Sequence, residues 1–176
     1  GADFVFDPTT TDMPRAVKDA TGGDGADAVV LTVGMHSGVG PSIELVRFCN
    51  SGTEANLLAL SLSRAVTGRS TVLVFTGAYH GGILLFAHGV SPLNPPFEWV
   101  VGEYNDADGA ARLVEGHARD LAAVIVEPLQ GAAGVIRGDP AFLRVLREAT
   151  AAHDVLLVFD EVMTARLARG GMQQLV

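Results

Sequence analysis

Val46-Arg47-Phe48-Cys49-Asn50-Ser51-Gly52-Thr53-Glu54-Ala55-Asn56 is the stretch around which the chain is organised. A short apolar run stops at Asn-Ser-Gly-Thr, and from Glu54 a helical pattern runs on to about Thr67-Gly68. Ser and Thr are strong N-cap residues, and a glutamate in the first turn suits the positive end of the helix dipole. Gly52 lets other atoms approach the backbone closely. Free N–H groups, two hydroxyls and a dipole make a ready anion site, best suited to phosphate. A plain capped helix fits the same letters.

Strands and helices alternate along the rest of the chain. Phe4-Val5-Phe6, a helix from Thr11 to about Ala20, and Ala28–Val33 read as strand, helix, strand. Residues 35–44 lack periodicity and predict a junction. Beyond it come a strand over Ser70–Phe75, a glycine-rich loop through Thr76–Gly82, and an irregular Pro92–Pro96 segment. A short strand at Trp99–Val101 precedes a helix opened by Asn105-Asp106 and ending near His117. Leu121–Val126 reads as a buried strand, Gly131–Gly138 as a loop, Asp139-Pro140 as the start of a helix, and Val155–Phe159 as a strand. This is the parallel α/β pattern, in which ligands bind outside the carboxyl ends of the strands. Tyr79-His80, Glu127 and Asp160 all fall there.

Composition narrows the partners. Hydrophobic residues make up 48% of the 176, enough for a folded core rather than a disordered chain. A net charge of −8 argues against nucleic acid. No apolar run is long enough to span a bilayer. The N-terminus lacks the shape of a signal peptide, and the lone Cys49 excludes an internal disulfide; both fit a cytoplasmic protein. His36, His80, His88, His117 and His153 show no metal-ligand spacing, so no metal site is expected. Lys18 is the single lysine.

A pyridoxal phosphate site needs an anion cradle, an aromatic face for the ring, a carboxylate for the pyridine nitrogen and a lysine for the Schiff base. Ser51-Gly52-Thr53, Tyr79 and Asp160 could supply the first three. Each has a plainer reading: Tyr79 as a half-buried loop aromatic, His80 as a hydrogen-bonded loop histidine, Asp160-Glu161 as a solvated strand end, Glu127-Pro128 as a strand stop. Leu156–Glu161 also has the shape of a Walker B strand, but no glycine-rich loop here is followed by lysine.

Two resemblances bear on this choice. "GADFVFDP" and "AVKDATGGDGADAVVLTVG", over about residues 1–34, resemble the nucleotide-binding domain of zinc-dependent medium-chain alcohol dehydrogenases, without the G-x-G-x-x-G fingerprint or the zinc-ligand cysteines. "VRFCNSGTEAN", "FTGAYHGG", "AAVIVEPLQGAAGV" and "LLVFDEVMTARLARGG" resemble, in order, four motifs of the class III aminotransferases, the last similar to the glutamate-1-semialdehyde aminomutase branch. That resemblance covers about residues 42–176. It implies a partial large domain of the pyridoxal phosphate-dependent aminotransferase fold (fold type I), α/β with a mostly parallel sheet and flanking helices. The expected organisation is a dehydrogenase-like β-α-β fragment over 1–34 and a truncated large domain over 35–176.

Carried onto this sequence, the resemblance implies that Ser51, Gly52 and Thr53 hold the cofactor phosphate. Tyr79 stacks on one ring face, Val162 packs the other, and Asp160 pairs with the pyridine nitrogen, with His80 close by. The implied substrate is a small amino acid or amine, and intact members are expected to be homodimers. Departures accompany the match. The family's Schiff-base lysine has no counterpart, and Lys18 matches no motif. Ala132 stands where some branches carry a substrate-switching glutamate, Ala165-Arg166 replaces Gly-Phe-Arg, and Arg169 replaces a proline. The expectation is therefore a cofactor-binding piece without catalytic residues of its own, inactive as given. The rival is an inert fusion or gene fragment.

Overall fold

The structure, a computed structural model, describes residues 47–168 and 171–175. The strand–helix–strand expected over residues 4–33 and the junction expected over 35–44 lie outside them. Four strands form the main sheet: β1 (Thr71–Phe75), β2 (Glu98–Gly102), β3 (Leu121–Val126) and, after two short strands, β6 (Leu156–Phe159). Their order is β2-β1-β3-β6, and every neighbouring pair is parallel. Every residue of β1 and β3 is buried, as the continuous apolar runs Thr-Val-Leu-Val-Phe and Leu-Ala-Ala-Val-Ile-Val require. Side chains alternate in direction along a strand. Leu73, Phe75, Val124 and Val126 thus belong to one core, and Val72, Val74, Ala123 and Ile125 to the other.

Helices cover the two faces. α1 (Gly52–Thr67) begins two residues before Glu54, the start expected from the helical pattern. Ser51 is its extended N-cap, and its Oγ accepts from the N–H of Glu54 at 3.2 Å. The Glu54 carboxylate in turn accepts from the Asn50 N–H at 2.8 Å. Gly68, at φ 68°, ends the helix in the left-handed conformation that glycine adopts without a Cβ penalty. α1 supplies Leu60 to the core that holds Val72 and Ile125. α2 (Ala107–His117), capped by Asp106, and α3 (Pro140–Ala152), capped by Asp139 with Pro140 in its first turn, lie against the opposite face. There Phe142 meets Phe75 and Tyr104 edge-on, with ring centroids 5.0 and 5.3 Å away. Burying one such ring is worth about 1.5–3 kcal/mol, so this trio fixes α3 firmly on the sheet.

The expected elements are present with small shifts. β1 begins at Thr71 rather than Ser70, and β2 extends one residue further at each end than Trp99–Val101. The last strand begins at Leu156, because the Val155 N–H turns back to the Thr150 carbonyl at the end of α3. The Gly131–Gly138 loop needs a correction. Its Ile136-Arg137 (β5) pairs antiparallel with Leu129-Gln130 (β4), closing a small hairpin just past β3.

Candidate functional site

The strand order creates a crevice. From β1 the chain goes outward to β2, returns through α2 across β1 to β3, and continues through α3 to β6. β1 and β3 are thus neighbours from which the chain departs in opposite directions. Ligands of open α/β sheets bind at such a switch point. Glu127, the first residue after β3, bridges it: its Oε2 accepts from the Tyr79 N–H at 3.0 Å, and its Oε1 accepts from the Gly131 N–H at 3.5 Å. The Tyr104 hydroxyl donates to the Glu127 carbonyl at 2.7 Å. Burial pushes the Glu127 carboxyl above its ordinary range, and nearby Asp160 adds to this. The Tyr79 N–H, His80 and the Gly131 N–H draw it partly back. Burial, helped by Glu127, also raises the Tyr104 phenol, which keeps it a donor.

Asp160 stands at the next strand end, 6% exposed. Its Oδ2 accepts from Asn56 Nδ2 at 2.8 Å and from His80 Nδ1 at 2.9 Å; its Oδ1 accepts from the Val162 N–H at 3.2 Å. Asn56 uses its second amide hydrogen on the His80 carbonyl, at 3.0 Å. The loop after β1 is also tied to the start of α1, where Thr53 Oγ1 accepts from the Gly82 N–H at 3.0 Å. Gly81 makes that approach possible. At φ +129° it sits where a Cβ would fall 2.6 Å from the Thr53 Cα, so only glycine fits.

The structure therefore gathers the residues singled out in the sequence at one end of the sheet. Asp160 bonds directly to His80 and to the Val162 N–H, Thr53 is tied to the same loop through Gly82, and the Tyr79 N–H is held by Glu127. Gly52 and Ser51 are brought there by α1, Ser51 being exposed and joined to the rest only through that helix. Tyr79 and Val162 are each 48% exposed, while Asp160 is buried. His80 is buried behind Asp160, and its Nε2 has no partner among the described residues. The solvated-strand-end reading of Asp160-Glu161 does not hold. Glu161 is buried too, accepting from Thr164 Oγ1 at 2.7 Å, the Met172 N–H at 2.7 Å and the Gln173 N–H at 3.0 Å. It folds the chain after Val162 back onto the strand end. Lys18 lies outside the described residues.

Sequence reasoning gave no role to Asn56 and did not reach Tyr104. Asn56 stood inside the quoted motif, and its signal was an amide on a helix face that otherwise buries Ala55, Leu60 and Ser63. A buried amide needs partners. Among the described residues, no group of three or more His, Cys, Asp or Glu could hold a metal ion, and no helix is long and apolar enough to cross a membrane.

A chain with this fold and this gathering of strand-end residues belongs to the class III aminotransferases, whose family description (Aminotransferase class-III) matches residues 26–173. The structure is a partial large domain of their pyridoxal phosphate-dependent fold, fold type I. Among individual relatives, the chain is 52% identical over 132 residues to the β-phenylalanine transaminase of Variovorax paradoxus, covering 75% of this chain and 30% of that protein. It is 44% identical over 150 residues to a glutamate-1-semialdehyde 2,1-aminomutase of Chloroflexus aurantiacus, covering 77% of this chain and 34% of that one. The solved structure of the Variovorax paradoxus β-phenylalanine aminotransferase superposes with a TM-score of 0.74 at 44% identity, over 94% of this chain and 40% of that one. A transaminase solved with pyridoxal phosphate (PLP) bound superposes with a TM-score of 0.69 at 28% identity, over 94% and 44%. The chain thus spans about a third of the length of these curated relatives. The family match includes residues 26–34, which the sequence reading had placed with the dehydrogenase-like segment, and the relatives named are all transaminases or aminomutases.

Proposed function

We propose that these residues form the cofactor-holding face of a pyridoxal phosphate site for amino-group transfer, of transaminase or glutamate-1-semialdehyde aminomutase type, acting on a small amino acid or amine. The observation that carries this reading is the buried Asp160 carboxylate. It is gripped by Asn56 from α1 and by His80 from the loop after β1, at the same strand ends where Tyr79 and Val162 stand half exposed.

The residues present fit such a group. An α-helix leaves its first N–H groups without intrahelical partners, and here the cap takes up only that of Glu54. Gly52 and Thr53 keep theirs for phosphate oxygens, where the helix dipole favours the charge. The Ser51 and Thr53 hydroxyl oxygens each accept a bond inside the protein, which leaves the hydroxyl hydrogens to donate. Tyr79 offers a flat face and Val162 an apolar one. Asp160 offers an anion to a protonated ring nitrogen.

When bound, pyridoxal phosphate supplies an aldehyde and an electron-withdrawing ring through which an amino group is taken up and passed on. Asp160 keeps a ring proton in place, Ser51, Gly52 and Thr53 anchor the phosphate, and Tyr79 and Val162 exclude water from the two faces. None of these side chains carries an amine able to hold the aldehyde or to move a proton at the substrate carbon. We accordingly propose that a polypeptide of these 176 residues alone binds the cofactor without turnover, and that assembly as a homodimer belongs to the whole protein. The division into 1–34 and 35–176 rests on the dehydrogenase-like sequence of residues 1–34. The family match from residue 26 favours a boundary earlier than 35.

Borohydride reduction of the chain loaded with pyridoxal phosphate, followed by peptide mapping, tests the reading. Saturable binding without a stoichiometric covalent label is expected. A full label on Lys18 would place the cofactor elsewhere, and absence of binding would leave the inert-fragment reading.

A further inference from the structure

Asn56 has the connections of a strut. One side-chain amide joins three segments distant in sequence: it sits in α1, donates to Asp160 at the end of β6, and donates to the His80 carbonyl in the loop after β1. Asn56 and His80 are each 1% exposed, so water cannot stand in for these contacts. A carboxylate oxygen accepts two hydrogen bonds in its plane. Asp160 Oδ2 already has two, from Asn56 at 2.8 Å and from the His80 ring at 2.9 Å. Oδ1 has one among the described residues, the Val162 N–H at 3.2 Å, which leaves one lone pair.

We propose that Asn56 is a positioning residue: with His80 it saturates Oδ2 of Asp160, so that Oδ1 alone is left to accept from a protonated ring nitrogen. This rests on the pyridoxal phosphate reading given above. The His80 ring cannot do this alone. Among the described residues its Nε2 has no partner and the ring is held by hydrogen bonding at Nδ1, and Asn56 supplies a second grip on the same residue through its backbone. The placement also sets a distance. Asn56 lies four residues after Gly52, about one turn or ~6 Å along α1. One rigid helix thus carries both the phosphate anchor and the support of the carboxylate, fixing the spacing between the two ends of the ring.

The test uses the 176-residue chain and two probes, pyridoxal phosphate and its 1-deaza analogue, which has carbon in place of the ring nitrogen. The ratio of their dissociation constants reports the Asp160 contact and cancels the phosphate contact. The unmodified chain is expected to prefer pyridoxal phosphate by about tenfold or more, the worth of one charge-assisted hydrogen bond. Asn56→Leu, which keeps the volume and removes both donors, should lower the preference to about threefold or less, with the deaza analogue bound nearly as before. Asn56→Ser is measured alongside and replaces it if Asn56→Leu fails to fold by circular dichroism. An unchanged preference in the folded variants overturns the role of Asn56. Equal binding of both probes by the unmodified chain overturns the Oδ1 assignment while leaving the phosphate anchor standing. Binding of neither probe defeats the cofactor reading itself, and this proposal with it.

Discussion

The two ends of the parallel sheet use polar residues in opposite ways. At the amino ends of the strands, Arg69 donates through one guanidinium nitrogen to the carbonyls of Leu121, His153 and Asp154, at 3.1, 3.4 and 2.9 Å. Beside it, the Ser70 and Thr71 hydroxyls donate to Glu98 Oε2 at 2.9 and 3.1 Å. These bonds hold chain to chain and join the starts of β1, β2, β3 and β6. At the carboxyl ends, the carboxylates of Glu127 and Asp160 are buried, and for Glu127 burial disfavours the charge. Among the described residues their partners do not exhaust them, and His80 Nε2 has none. One end is arranged to hold the chain together. The other buries carboxylates and a histidine whose polar atoms are not all used within the described residues, and that contrast marks the site.

The contrast can be broken from either end. The largest expected effect on stability is at the amino end. Arg69→Ala removes a charged donor from three carbonyls and should destabilise the chain by about 3 kcal/mol in chemical denaturation. Pyridoxal phosphate affinity, corrected for the unfolded fraction, should stay within about twofold, since Arg69 lies at the far end of β1. A parallel loss of affinity in the folded fraction would show that the ends are not separable.

A smaller effect is expected at Glu127. Its folded-state pKa is raised, so the folded chain binds the proton more tightly than the unfolded one. The stabilisation is fully present below the unfolded value of 4.5 and is lost as pH rises through the raised folded value. The unfolding free energy should therefore contain a component that falls with rising pH over that window. Glu127→Gln, which can still accept from the Tyr79 N–H, should remove it. Thermal melts of both proteins across the window check this, and an identical slope in the variant would contradict the assignment. The smallest effect is expected at Ser70→Ala. It removes one exposed bond to Glu98 and should change stability by no more than about 0.5 kcal/mol, below the other two in the same denaturation series.

How much of this was legible in the sequence differs between the same two regions. Runs such as Leu121–Val126 announced buried parallel strands, and Ser51, Asp106 and Asp139-Pro140 announced helix starts, because cap chemistry is local. Asp160, Tyr79 and His80 were readable as strand-end residues once the α/β alternation was seen. The Arg69 staple was not, because its acceptors are carbonyls 52 to 85 residues away and any residue type offers a carbonyl. Asn56 was hidden for a related reason: its partners His80 and Asp160 are 24 and 104 residues distant, and an asparagine on a helix is usually solvated. The β4–β5 hairpin escaped notice because two-residue strands are too short to show a period of two. The depth of Glu161 depended on the Met172 and Gln173 N–H groups returning to it, which no local pattern encodes.

The central claim is that the carboxyl ends of the strands hold pyridoxal phosphate between the start of α1 and Asp160. Equilibrium dialysis with pyridoxal phosphate tests it most directly, on the unmodified chain, Thr53→Ala, Asp160→Asn and Arg69→Ala side by side. The account predicts one saturable site per chain, weakened about tenfold by Asp160→Asn and severalfold by Thr53→Ala, and unchanged by Arg69→Ala in the folded fraction. Binding that is indifferent to both Thr53→Ala and Asp160→Asn, or no saturable binding by the unmodified chain, would contradict it.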